Sequence, residues 1–165
     1  MSSLIFNANE AFEIAKRIER NGVAYYRRAA ELISDPAGKK LMNDLAEMEV
    51  VHEQVFAHMQ QKLSGGELAE TPVDPHNDAY EFLKGMADKC VFDPKEDPLE
   101  VLKDGTDAKT ILNAAIQREK DSIIFYEGIK IMVPQKFGGA RLDEIIAQEM
   151  GHVIILTRHL DQIAS

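Results

Sequence analysis

The sequence predicts an all-α protein, an antiparallel four-helix bundle with one long crossover between its second and third helices. Apolar residues recur at three- and four-residue spacing in four long stretches, the pattern of a helix with one buried face. Capping residues, prolines and glycines stand at the ends of these stretches. The two halves also repeat at an offset of 100 residues without a gap, as Glu19 and Glu119 show.

The bulk composition narrows the class of protein. A length of 165 residues fits one domain, 1–165, with a full hydrophobic core. The net charge of -9 argues against a nucleic-acid partner, whose phosphates need clustered Lys and Arg. No apolar run is long enough for a bilayer, and the first residues do not resemble a signal peptide. The lone Cys90 excludes an intrachain disulfide. Together these features lead us to expect a cytoplasmic protein, and the lack of a long apolar run leads us to expect no membrane partner.

The first two long helices are delimited by their end signals. The first is expected from about Asn9 to Ser34, with Asn7 or Asn9 as its cap and Asp35-Pro36 as its stop. The second is expected from about Pro36 to Ser64, because Gly65-Gly66 then ends it. The connection between them is short, so these helices should be antiparallel.

The last two long helices repeat this arrangement. The third should start near Thr106 or Asp107, both good caps, and end before Pro134. The fourth should follow Gly138-Gly139 and run almost to the C-terminus. These two helices should also be antiparallel. Each of the four would be roughly 36–42 Å long at about 1.5 Å per residue.

The stretch from Gly65 to Gly105 connects the two halves. A connection of about forty residues is unusual in a compact domain unless it has a structural task. Here it must carry the chain from one end of the bundle to the other, and His76 to Lys89 within it is expected to form a short helix.

The repeat places the same polar residues in both halves. In each half a Glu and a Tyr lie seven residues apart on the first helix, and Glu-x-x-His lies on the second. The matched pairs are Glu19 and Glu119, Tyr26 and Tyr126, Glu49 and Glu149, and His52 and His152. All eight fall on the apolar stripe of their helix. The stripe of the fourth helix, for example, is Leu142, Ile145, Glu149, His152, Leu156, His159 and Ile163.

Four Glu and two His that face a bundle core predict a metal site. Buried carboxylates need a partner, and no Lys or Arg occupies the four stripes. Two divalent ions would balance four carboxylates, as would two trivalent ions with one oxo bridge. Mixed carboxylate and imidazole ligands suit iron or manganese, and thiolates, which would favour zinc or copper, are absent. We expect two iron ions, with manganese or zinc as possible substitutes. One Glu from each of two helices and Glu-x-x-His from each of the others is the known ligand pattern of di-iron carboxylate bundles. The predicted ligands are Glu19, Glu49, His52, Glu119, Glu149 and His152.

Each of these residues also has a structural interpretation. The six polar groups could be a degenerate site kept as a polar core network. Tyr26 and Tyr126 could be core aromatics, or their hydroxyls could hydrogen-bond the ligand carboxylates and so assist catalysis. We interpret His159 as a histidine of the core or the bundle end rather than a ligand, and His58 and His76 as surface residues.

Four segments resemble the rubrerythrin branch of the ferritin-like superfamily: Ile18–Tyr26, Glu49–His52, Glu119–Tyr126 and Glu149–His152. The resemblance covers all four long helices. It implies a ferritin-like bundle with a non-haem Fe-O-Fe site, a homodimer, and chemistry on peroxide or dioxygen. Two features depart from the family. The chain lacks the cysteines of a rubredoxin domain, so its electrons must come from a separate donor protein, and Ser122 stands where rubrerythrins have a further carboxylate.

The leading functional hypothesis is a di-iron oxidoreductase that reduces peroxide or dioxygen with external electrons. Small residues one turn from the first-helix glutamates, Gly22 and Ser122, would leave room for the oxidant. The alternatives are a protein that oxidises iron and sequesters or delivers it, and a purely structural metal site. Apolar residues off the stripes add a prediction of a twofold homodimer, unless the crossover covers them. They are Ile14, Ile18, Tyr25, Ile116, Ile123 and Phe125.

Overall fold

The computed structural model describes residues 8–63, 78–86, 99–100, 102–133 and 138–164. These residues form five α-helices and no strand, which confirms the all-α fold class. The helices are α1 (Ala8–Leu32), α2 (Pro36–Leu63), α3 (Asp78–Met86), α4 (Ala108–Met132) and α5 (Gly139–Ala164). The short helix α3 lies inside the range predicted for the crossover helix. Asn7, Gly65-Gly66, His76, Cys90 and Pro134 lie outside the described residues.

Side-chain caps explain where two of the long helices begin. The carboxylate of Asp35 accepts hydrogen bonds from the backbone N–H groups of Ala37 and Gly38, so it caps α2 and separates it from α1. Asp107 caps α4 in the predicted way, because its Oδ1 accepts from the N–H of Thr110 at 3.0 Å. The prediction of Asn9 as a cap is wrong, since Asn9 lies inside α1.

Neighbouring long helices run antiparallel, as predicted. Across α1 and α2, Arg20 pairs with Glu53 at 2.6 Å, whereas the earlier residue Asn9 accepts from the later residue Gln60 at 2.9 Å. Across α4 and α5, Lys130 near the end of α4 lies 2.5 Å from Asp143 near the start of α5. The two hairpins therefore bring the middle parts of all four long helices to the same level.

Two clusters of buried apolar residues fill the bundle, one toward each end. The first includes Phe12 of α1, Phe56 of α2 and Leu142 of α5. The second includes Met42 of α2 and Leu112 of α4. The layer of buried Glu and His residues belongs to neither cluster and lies between them. The core therefore positions the polar layer near the middle of the bundle.

The predicted stripes are confirmed over most of their length. Among the stripe residues whose burial the structure describes, the exposed one is Ile163, at 40%. One turn earlier on α5, His159 pairs with Asp35 in the turn between α1 and α2. Ile163 thus extends past the end of the helices against which α5 packs, so the apolar spacing there does not produce burial.

The crossover helix covers part of the apolar surface that motivated the homodimer. Leu83 of α3 is fully buried in one core cluster with Phe125 of α4. Gly128 permits this approach, because a Cβ there would lie 2.7 Å from a methyl carbon of Leu83. Tyr25 is also buried within the chain, at 1% exposure, so less apolar surface is left for a second chain to cover than the sequence suggested. The homodimer itself stays a prediction. Among the described helices, none has the length and apolar character that a membrane span requires.

Candidate metal centre

Four helices contribute to one buried cluster of carboxylates and imidazoles. Glu19 comes from α1, Glu119 from α4, and the two Glu-x-x-His pairs from α2 and α5. Each of the six residues is at most 4% exposed. The structure therefore brings together all the residues predicted as ligands: Glu19, Glu49, His52, Glu119, Glu149 and His152.

The cluster divides into two groups. Within each group, all the ligand atoms lie within 4.8 Å of one another. One group is Glu19, Glu49, His52 and Glu149, and the other is Glu49, Glu119, Glu149 and His152. Two carboxylates, Glu49 and Glu149, belong to both groups. The arrangement is that of two neighbouring metal positions with two shared ligands.

The shared carboxylates turn one oxygen toward each histidine. Glu149 places Oε1 3.0 Å from Nδ1 of His52 and Oε2 2.8 Å from Nδ1 of His152. Glu49 places Oε2 3.4 Å from Nδ1 of His52 and Oε1 3.7 Å from Nδ1 of His152. The imidazole rings are stacked with their centroids 5.8 Å apart. Both carboxylates can therefore bridge two ions that each bind one histidine.

Each remaining glutamate serves one position and is held by a tyrosine from the other half of the chain. Glu19 lies 3.7 Å from Nδ1 of His52, and Glu119 lies 3.5 Å from Nδ1 of His152. The hydroxyl of Tyr126 donates to Glu19, and that of Tyr26 donates to Glu119. Both tyrosines are also buried core aromatics, so packing in the core and hydrogen bonding to a carboxylate occur together. A part in catalysis stays a prediction.

Some atoms of the cluster lack hydrogen-bond partners. They are Nδ1 of His52, both nitrogens of His152 and both carboxylate oxygens of Glu149. Over the described ranges, these are the buried side-chain nitrogens and oxygens without a partner. Such atoms are costly to bury unless another species binds them. Pairs of metal ions fit this donor set, because four carboxylates carry about four negative charges and the imidazoles supply neutral nitrogen.

Burial and mutual repulsion control the protons of the cluster. Burial and the charge of Glu49 raise the pKa of Glu19 well above its usual range, and burial and the charge of Glu149 do the same to the pKa of Glu119. Burial alone would lower the pKa of His152, but the adjacent carboxylates outweigh it and raise that pKa to about 10. Without metal, protons therefore take up part of the charge, and metal binding must release them.

A small cavity reaches the cluster between α1 and α4. Its volume is about 60 Å³. It is lined by Ile18, Glu19, Asn21, Gly22, Tyr26, Glu49, Arg118, Glu119, Asp121 and Ser122. A Cβ at Gly22 would lie 3.2 Å from Cγ of Glu49, so the missing side chain gives this carboxylate its room. The hydroxyl of Ser122 donates to the carbonyl of Arg118 at 3.0 Å, within its own helix, rather than to a ligand.

Two other histidines lie apart from the cluster. Nε2 of His159 lies 3.0 Å from Oδ2 of Asp35, which confirms its interpretation as an end-of-bundle histidine. His58 is exposed, as predicted.

Four residues near the site were not predicted from the sequence. Gln148 contacts His52 from the surface of α5, and Asn21, Arg118 and Asp121 line the cavity. All four lie off the apolar stripes, so helical spacing gave no signal for them.

Comparison with known proteins supports the fold. No protein-family model matches the sequence, and no curated protein does. One similar solved structure, at 2.30 Å resolution, is of a Thermotoga maritima protein provisionally assigned as a ferritin-like diiron-carboxylate protein. It matches with a TM-score of 0.70 and 24% identity over 94% of this chain and 95% of that chain. This chain therefore has the fold of a ferritin-like helical bundle.

Proposed function

We propose that this protein is a non-haem di-iron oxidoreductase that reduces peroxide or dioxygen with electrons from another protein. One observation carries the proposal. Glu49 and Glu149 each turn one oxygen toward His52 and the other toward His152. A single-ion site has no need for two carboxylates that span two imidazoles, whereas a metal pair can use both of them as bridging ligands.

The proposed identity of the metal rests on the chemistry of the ligands and on the similarity of the fold to a solved structure. Oxygen and imidazole ligands without thiolate suit iron, and manganese or zinc could occupy the same positions. The Thermotoga maritima protein of similar fold carries a diiron-carboxylate designation, which favours the same choice here. The resemblance of the four helical segments to rubrerythrins favours peroxide or dioxygen as oxidant.

Residues of the chain would hold the metal pair, and two tyrosine hydroxyls would keep their protons and orient two of the ligands. When bound, an iron pair supplies two electrons, the number that converts one hydrogen peroxide and two protons into two water molecules. The hydroxyls of Tyr26 and Tyr126 keep Glu119 and Glu19 oriented. Burial and the charges of Glu119 and Glu19 raise the pKa values of Tyr26 and Tyr126 respectively, so both hydroxyls stay protonated and continue to donate.

The cavity has room for a small oxidant. A water-sized molecule needs about 10–15 Å³ of such space, so a cavity of about 60 Å³ admits peroxide or dioxygen beside the ligands. An opening also argues against a purely structural site, because structural metal sites are closed by protein ligands. Arg118 and Asp121 on the lining add polar groups beside this path.

Stopped-flow mixing of the diferrous protein with hydrogen peroxide or dioxygen tests the proposal. The metal-free chain is loaded anaerobically with two Fe²⁺, and oxidation is followed by absorbance against the same Fe²⁺ in buffer. Oxidation well above the buffer rate, repeated after reduction of the protein, is expected. Oxidation no faster than free Fe²⁺ would leave a structural site, and iron loading well beyond two per chain would favour sequestration or delivery.

Three further features belong to the same proposal. With one cysteine in the chain, no Cys₄ rubredoxin-type site can be built, so electrons would come from an external donor protein. The exposed apolar residues Met150 and Ile154 of α5, 48% and 50% exposed, would suit a homodimer interface. A reducing cytoplasm would supply both the donor and ferrous iron.

A further inference from the structure

The imidazole of His52 has a hydrogen-bond partner outside the carboxylate cluster. Its Nε2 lies 2.7 Å from the amide oxygen Oε1 of Gln148, which is exposed on α5. An amide oxygen only accepts, so in neutral His52 the ring proton lies on Nε2. The other nitrogen, Nδ1, faces Glu149 at 3.0 Å and has no hydrogen-bond partner, which leaves its lone pair for a metal ion.

The second histidine lacks such a partner. Nδ1 of His152 faces the cluster in the same way, 2.8 Å from Glu149. Its Nε2, however, is buried without a hydrogen bond. The halves repeat at an offset of 100 residues, so the equivalent of Gln148 is residue 48, and that residue is a half-buried methionine. The thioether of Met48 is only a weak acceptor.

The rest of the ligand set is matched between the two metal positions. Glu49 and Glu149 belong to both, and Glu19 and Glu119 each accept a tyrosine hydroxyl. Ser122, which differs from Gly22, bonds its own helix and not a ligand. The hydrogen bond from His52 is therefore the clearest difference between the positions.

We propose that Gln148 is a positioning residue that makes the two metal positions unequal, with the ion at Glu19 and His52 bound more tightly than the ion at Glu119 and His152. This inference rests on the proposed metal pair. A partner on the outer nitrogen fixes the tautomer and the ring orientation and raises the basicity of the ligand nitrogen. Loss of such a partner typically lowers metal affinity by about 10- to 100-fold.

Exchanging the two equivalent residues tests the inference. Three variants of the full chain are made: Gln148→Met, Met48→Gln, and both together. Each metal-free protein is titrated anaerobically with Fe²⁺ in a calorimeter. The unmodified chain should bind two ions in steps whose affinities differ by about 10-fold or more. Gln148→Met should weaken the first step, Met48→Gln should strengthen the second, and the double variant should exchange which position fills first.

The order of filling has its own readout. After one equivalent of Zn²⁺, ¹⁵N spectra of labelled histidines should show Nδ1 of His52 shifted by the metal while His152 is unchanged. In the double variant His152 should respond first. Because zinc does not undergo redox chemistry, this result is independent of any activity.

Each outcome decides the inference. Equal affinities in the unmodified chain, or a separation that neither substitution changes, would overturn it while the metal pair of the proposed function remained. Failure to bind any metal would overturn both. Gln148 is exposed, so Gln148→Met should fold, which circular dichroism checks; should it unfold, Met48→Gln alone still decides through the second step.

Discussion

The hydroxyl of Tyr26, on α1, donates a hydrogen bond to the carboxylate of Glu119, on α4. The equivalent bond from Tyr126 to Glu19 runs in the opposite direction between the same helices. Each half of the chain thus holds the glutamate of the other half. Each of the two groups of carboxylates and imidazoles that could hold a metal ion consequently takes residues from both hairpins, and neither hairpin alone forms one.

Replacing Tyr26 by phenylalanine should weaken metal binding while the bundle still folds. The substitution removes the hydroxyl that orients Glu119, and loss of such a contact typically costs about tenfold or more in metal affinity. Anaerobic titration with Fe²⁺ measures the effect. Tyr25→Phe is the matched control, because Tyr25 is equally buried but donates to the backbone carbonyl of Ile111 at 2.7 Å, away from the cluster. Equal losses of affinity in the two variants would contradict the account.

Gly22→Ala should also weaken metal binding. The new methyl group would lie 3.2 Å from Cγ of Glu49, so this shared carboxylate must shift. Both binding steps should weaken, because Glu49 belongs to both positions. Gly151→Ala is the control, since nothing lies within 4 Å of a Cβ there and alanine favours a helix by about 1 kcal/mol. Unchanged affinity in Gly22→Ala, with the control also unchanged, would count against a bridging role for Glu49.

The metal-free protein should become more stable on mild acidification. The raised pKa values of Glu19, Glu119, His52 and His152 mean that the folded chain holds more protons than the unfolded chain near neutral pH. The contribution of the histidines to the free energy of unfolding is complete below their ordinary pKa of 6.5. For His152 it is lost as the pH rises toward its folded-state pKa of about 10. Glu149 acts in the opposite direction, because its pKa is lowered. Its contribution to stability is lost only below its ordinary pKa of 4.5, which lies outside mild acidification.

Thermal unfolding of chelator-treated protein measures this effect. Tm should rise by about 5 °C between pH 8.5 and pH 6.0. The metal-loaded protein should not follow the same trend, because protons compete with metal for the ligands. A metal-free Tm that falls or stays constant over this range would show that protons do not relieve the repulsion.

Ser122→Glu should change the redox chemistry without loss of the metal pair. Ser122 lines the cavity, and its position is one turn from Glu119 on the same helix face. A carboxylate there adds one negative charge beside the metals, so the reduction potential should fall and the rate with peroxide should change. Potentiometry and stopped-flow absorbance measure these effects, and Ser122→Gln controls for size without charge. Equal potentials in the two variants would refute the charge argument.

The unmodified chain should keep both histidines bound in both redox states, because Ser122 is too short to replace one of them. Crystal structures of the diferrous and the diferric protein would show the metal positions and the histidine ligands in each state. A metal displacement above about 1 Å with either histidine released would show that the missing carboxylate does not decide this behaviour.

Helical spacing predicted the burial of the polar layer because the apolar residues around it mark the face of each helix that packs inward. Glu19 and His152, each 1% exposed, follow directly from the stripes of α1 and α5. Gly22 and Ser122 were expected to leave room for an oxidant, and both line the cavity. The binding of metal by Glu19 and His152, and the approach of an oxidant beside Gly22 and Ser122, stay predictions.

The features that were missed depend on how helices meet rather than on spacing within one helix. Gln148 reaches His52 across α2 and α5, a contact that no single helix reveals. Phe125 is different, because off-stripe apolar residues were expected to be covered by the crossover or by a second chain. The crossover helix α3 packs over α4 and buries Phe125. Ile163 fits the stripe but lies beyond the packed length of α5, so it is exposed.

The central claim is a metal pair held by two shared carboxylates, and the number of ions bound per chain tests it most directly. Protein purified without chelator is analysed for iron, manganese and zinc, with the protein concentration from amino-acid analysis. The account predicts about two ions per chain, mostly iron, with the near-ultraviolet absorption of an oxo-bridged diferric pair. One ion or fewer per chain, or zinc alone in tetrahedral coordination, would contradict it.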